Sequence, residues 1–149
     1  MQRRTFLRHS GLTLAGLAFL NQETRASFFK DPAWNIRMLT DDAGIFSEKG
    51  GTILFLLTKK GIAVVDSQFP DSAAHLIEEL KKKSEKPFKF LINTHHHGDH
   101  SSGNIAFKGL VEHIVAHENS KANQLKTATD QKTPPEKFLA PDLTYGNAT

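Results

Sequence analysis

Phe88-Lys89-Phe90-Leu91-Ile92-Asn93-Thr94-His95-His96-His97-Gly98-Asp99-His100 decides how this chain is read. Its first half is a strand signal: aromatic and β-branched residues in a short run. Its second half places four of the chain's eight histidines, and one aspartate, within six residues. Neutral imidazole is the commonest metal-ligating side chain. His95 and His97 are two apart, a spacing that sets both rings on one side of an extended backbone. Asp99 and His100 follow at once and can aim at a neighbouring point. One short loop can thus serve two cations roughly 3.5–4 Å apart. Gly98 and Gly103 supply the backbone freedom of such a turn. His96, between the two spaced ligands, is expected to point away and to belong to the loop or its rim.

Outward from this loop the pattern is mixed α/β. Ile36–Thr40 reads as a first strand, with a turn at Asp41-Asp42-Ala43-Gly44. Ile53–Leu57 is a continuous apolar run, which predicts a strand covered on both faces. Lys59-Lys60-Gly61 makes a hairpin turn, and Ile62–Val65 pairs back, ending at Asp66. Pro70-Asp71-Ser72 opens a helix with Asp71 or Ser72 as its N-cap. Ala73, Leu76, Ile77 and Leu80 share its buried face, and Lys81–Lys83 suit its C-terminal end. Val111–Val115 predicts another strand and Glu118–Lys126 a helix. Chemistry on a loop leaving a strand end is where α/β folds usually put it.

The N-terminus reads separately. Met1–Arg8 is basic, Gly11–Leu20 is apolar, and Asn21–Ala26 is polar with a small-x-small ending, which is the layout of a secretory signal. The apolar run is about ten residues, against the ~20 that a membrane span needs, so no stable membrane anchor is expected. Gln2-Arg3-Arg4-Thr5-Phe6-Leu7-Arg8 resembles the twin-arginine signal. The expected division is residues 1–26 as this signal and 27–149 as part of one domain, which places the protein in the periplasm or outside the cell.

The net charge of +3 is confined to that leader. Those 26 residues hold four of the 19 basic and one of the 16 acidic residues, leaving 15 of each in the body. A neutral body gives no electrostatic case for nucleic acid. The absence of cysteine rules out disulfides and a lipoprotein anchor, so any metal must be held by histidine and carboxylate.

His95-x-His97-x-Asp99-His100 resembles the signature of the metallo-β-lactamase superfamily. Val64-Val65-Asp66, Leu91-Ile92-Asn93-Thr94, Ser102-Gly103-Asn104 and Ile114-Val115-Ala116-His117-Glu118 are similar to its surroundings, so the likeness covers residues 36–120. Thr94-His95-His96-His97 is also similar to glyoxalase II within it. The resemblance implies an αββα sandwich, with this chain supplying roughly its first half. It implies two zinc ions, the first on His95 and His97 and the second on Asp99 and His100, with Asp99 also orienting the attacking hydroxide as a catalytic group. Thr94 and Asp66 would stand behind the ligands. Asp66 either orients an imidazole or caps the turn before Pro70. His117 is expected to be structural and not a third ligand.

The expected activity is an exported zinc-dependent hydrolase of an ester, thioester, lactone or β-lactam/amide bond in a small-molecule substrate. The remaining ligands of the family lie in its second half, and no histidine follows residue 120 here. Catalytic zinc usually needs three protein ligands, and each ion would have two. The alternative expectation is therefore an inactive fragment that binds metal weakly or pairs with a missing C-terminal half. Self-association through an exposed half-sandwich is expected with it.

Overall fold

The computed structural model describes residues 34–49 and 51–146. The expected twin-arginine leader, residues 1–26, lies outside the described residues. Seven strands form one sheet in sequence order: β1 Trp34–Met38, β2 Ala43–Glu48, β3 Gly51–Thr58, β4 Gly61–Val65, β5 Phe88–Asn93, β6 Val111–His117 and β7 Leu143–Tyr145. The first four are an antiparallel meander; β4 through β7 run parallel. Parallel neighbours need crossovers. The helix α1 (Pro70–Lys83) links β4 to β5, a short α2 (Gly98–Ser101) and a 3₁₀ turn (Ser102–Phe107) link β5 to β6, and α3 (Glu118–Asp130) follows β6.

The core lies between one face of the sheet and these helices. Phe46, Ile53, Phe55, Ile62, Val64 and Leu91 pack against Leu76, Ile77 and Leu80 of α1 and against Phe107. Phe88 meets Phe107 edge-to-face at 5.7 Å, a geometry the ring quadrupoles favour. The expected buried face of α1, Ala73, Leu76, Ile77 and Leu80, is the one observed. Among the described residues no helix is long and apolar enough to cross a membrane.

Three expectations need correction. The helix is capped by neither Asp71 nor Ser72: Phe69 takes the N-cap and Pro70 enters the first turn. Proline has no N–H to satisfy there and its fixed φ suits that position, so the boundary falls earlier. Asp71 instead pairs with Lys49 at 3.4 Å. Second, β3 is covered on one face only. Ile53 and Phe55 are buried, whereas Leu54 and Leu56 are 43% and 40% exposed. Phe90 and Leu143 are exposed on the same outer face, where register pairs Leu54 with Val65 and Phe90 with Ala63. Third, Ile45-Phe46 and Leu143-Thr144-Tyr145, which carried no strand reading, are strands.

The segment before β7 is tied to β6 through Asp142, which accepts the Ile114 N–H and bonds His113 Nδ1 at 2.7 Å. Partial burial pushes the Asp142 carboxyl up. The bonds from His113 and from backbone N–H groups outweigh that, and it sits below its ordinary value.

Candidate metal centre

The parallel strands β4, β5 and β6 deliver Asp66, Thr94 and His117 to one edge of the sheet. Asp66 leaves β4 with φ 67° and is 6% exposed. Aspartate tolerates this left-handed conformation better than most residues. Its carboxylate accepts from the Thr94 N–H, the Thr94 hydroxyl and His100 Nδ1, each at 2.8 Å. The Asp66 N–H donates to Ile92 O, which fixes the same turn to β5. Asp66 thus bonds both an imidazole, through His100 Nδ1, and a turn N–H, through Thr94.

The histidine loop is held from behind. The Ser67 N–H donates to His100 O at 2.8 Å, and the Gly103 N–H to Gln68 O at 2.7 Å. Ser101 Oγ donates to His96 O and His97 O. Asn93 and Asn104, both buried, exchange amide hydrogen bonds of 3.0 and 2.8 Å. Ser67 Oγ donates to Asn104 Oδ1, and Gln124 Nε2 to Asn93 Oδ1. Gly103 is needed for contact: a Cβ there would stand 2.1 Å from Ser67 O. These groups did not enter the sequence reading as site residues. A buried asparagine ending an apolar strand was the available signal.

Three imidazoles gather at the front. Ring centroids lie 4.0 Å apart for His95 and His100, and 4.8 Å for His95 and His97. His96 stands 6.4 Å from His95 and 4.7 Å from His97. Asp99 is exposed, with Oδ2 3.5 Å from His100 Nε2. His95 Nδ1 is 3.0 Å from Thr94 Oγ1. That hydroxyl donates its proton to Asp66, so it can only accept from His95 Nδ1–H. The Nδ1 protons of His95 and His100 are thus spoken for, leaving both Nε2 lone pairs for a cation. Burial, followed by the neighbouring His100 and His97, lowers the pKa of His95 and favours the neutral, ligating form.

The donor chemistry fits zinc. Among the described residues, however, no set of three or more His, Cys, Asp or Glu side chains converges to hold a cation. The rings pack on one another, and Asp99 turns to His100. His117 Nδ1 accepts the Asn119 N–H and caps α3.

The metallo-beta-lactamase superfamily matches residues 47–144, most of the chain. The chain belongs to that superfamily. A solved structure described as a metallo-beta-lactamase from Pontibacter korlensis shares the fold, with a TM-score of 0.59 and 20% identity over 78% of this chain and 54% of that one. A curated protein, "Probable hydroxyacylglutathione hydrolase glo2" of Schizosaccharomyces pombe, is 38% identical over 58 residues, 37% of this chain and 23% of its own length. The chain therefore spans about a quarter of that curated relative and about half of the solved one.

Proposed function

We propose that this chain carries the metal-binding loop of an exported zinc-dependent hydrolase acting on an ester, thioester, lactone or amide bond. The observation that carries the reading is the clustering of His95, His97 and His100 at the strand ends, with Asp66 setting the tautomer of His100. Zinc, when bound, supplies the Lewis acid that polarises the scissile carbonyl. His95 and His97 would hold one ion, and Asp99 and His100 a second. Asp66 and Thr94 act through His100 and His95 respectively, by keeping the Nε2 of each free. Asp99, besides holding an ion, would orient the attacking hydroxide. The hydroxyacylglutathione hydrolase similarity makes a thioester the first substrate class to try.

A second reading is supported by the open sheet face and by the two donors left to each ion. The chain then binds zinc weakly and becomes competent when a further layer, a missing C-terminal half or a second copy, covers Leu54, Leu56 and Phe90.

Calorimetric zinc titration tests the ligand assignment. His95→Ala combined with His97→Ala is expected to remove most of the binding, and His96→Ala to leave it nearly unchanged. Equal loss in both would reduce the loop to a histidine-rich chelator. Export rests on Arg3-Arg4-Thr5-Phe6-Leu7. Replacing Arg3 and Arg4 by lysine is expected to hold the precursor in the cytoplasm, and its continued delivery across the membrane would sink the twin-arginine reading.

A further inference from the structure

The two long helices are fastened differently. α1 buries Ala73, Leu76, Ile77 and Leu80 in the core. α3 is one residue shorter, but the residues it buries are Ser120 and Gln124, both polar, and its Leu125 is 44% exposed. Helices in proteins owe most of their stability to a packed apolar face, and α3 buries no apolar side chain. Between it and the metal loop lies a cavity of about 210 Å³, lined by His96, Gly98 and Ser101 from the loop and by Thr127, Ala128 and Gln131 from the helix and its end. We propose that α3 is a flap, which opens on the folded sheet and uncovers the flank of the histidine loop that His96 lines.

Opening costs little at the contact itself. Gln124 Nε2 donates to Asn93 Oδ1 at 3.2 Å, which ties the helix to β5. That oxygen also accepts from Asn104 Nδ2 at 2.8 Å, so it stays paired when Gln124 leaves. In the closed state Gln124 Oε1 is buried and has no partner among the described residues. A buried carbonyl without a donor is costly, and opening gives it water. The C-terminal end of the helix adds strain of the same sign. Lys132, just past it, has φ 51°, a left-handed conformation that favours glycine. Once undocked, a helix of 13 residues is marginal in water, so it frays and Lys132 relaxes. The flap has fixed ends. β6 precedes it; beyond it Leu139 O accepts from Asn104 Nδ2, and the Asp142 N–H donates to Ile114 O. The loop keeps its place, since Ser67, Ser101 and the Asn93–Asn104 pair hold it without α3. Weakly packed elements of this kind open far below the cost of global unfolding.

The chain has no cysteine, so a single introduced thiol reports its own burial. Ser120→Cys places one in α3 and Ser72→Cys one in α1, at positions 6% and 0% exposed. Thiol labelling of the full native chain is expected to be on the order of 100-fold faster for Ser120→Cys than for Ser72→Cys. Adding Gln124→Met to Ser120→Cys replaces the unpartnered amide with an apolar chain of similar length. Labelling is then expected to slow about tenfold, because the closed flap no longer buries an orphan carbonyl. Equal labelling at the two positions, or an indifferent Gln124→Met, overturns the proposal. Hydrogen exchange of the unaltered chain makes the same comparison without substitution. The α3 amides are expected to exchange on the order of 100-fold faster than those of Leu76–Leu80, while the Gly103 N–H stays protected by Gln68 O. Exchange of α3 in step with α1, or of Gly103 in step with α3, overturns it equally. Neither readout depends on zinc or on the proposed hydrolysis.

Discussion

Gly103→Ala is expected to lower the folding stability by about 3 kcal/mol, the upper range for an overpacked site. The reason is local. The added methyl would stand 2.1 Å from Ser67 O and 2.9 Å from Ser67 C, and both are backbone. No flexible side-chain end is available to yield. Relief requires separating the 3₁₀ turn from the Asp66–Gln68 segment, which breaks the Gly103 N–H bond to Gln68 O and strains the Ser67 bond to His100 O. Urea unfolding should show a lower midpoint with an unchanged slope. A loss below about 1 kcal/mol, the range of a routine substitution, would show that this approach is looser than described.

Asp66 is the second position of large effect, and two variants separate its roles. Asp66→Ala removes one acceptor from three donors, and it puts alanine where φ is 67°. Thr94 is exposed and His100 partly so, which lets water replace some of the lost bonds. The expected cost is about 2–3 kcal/mol, from unpaired donors and the left-handed backbone together. Asp66→Asn keeps a residue that tolerates that backbone and one oxygen acceptor. With the amide NH₂ towards His100, the ring must turn Nδ1 into an acceptor and move its proton to Nε2. Stability should fall less, whereas zinc affinity should drop about 10- to 100-fold, as when a group behind a metal ligand is lost. Wild-type zinc binding by Asp66→Asn, measured calorimetrically, would show that the tautomer does not matter.

Periodicity located the parts of this fold that periodicity controls. Ala73, Leu76, Ile77 and Leu80 mark a helix facing a core because their spacing has no other economical explanation. The helix start was misplaced because Asp71 and Ser72 are favourable caps in isolation, and Pro70 decides otherwise. Ile53–Leu57 carries apolar residues on both faces, which reads as full burial. Leu54 and Leu56 nevertheless face outward, since pattern records what a face prefers and not what covers it. The histidine cluster was legible as residue type and spacing. Its supports were not, because Ser67, Asn93, Asn104 and Gln124 meet only through long-range contacts. The convergence of donors on a cation was also beyond spacing: adjacency in sequence brings rings together without aiming their nitrogens at a common point.

The supports behind the histidine loop bear on how a cation would come and go. Ser67, Ser101, Asn93 and Asn104 hold the loop through bonds that none of the proposed ligand nitrogens makes. A site of this kind differs from one in which the ion itself gathers its ligands from a disordered chain. Here those bonds already shape the backbone, and what the arrival of a cation would move is imidazole rings and Asp99. Loading and loss then become exchange steps separate from folding, so chelation would empty the loop while leaving the sheet and its helices standing.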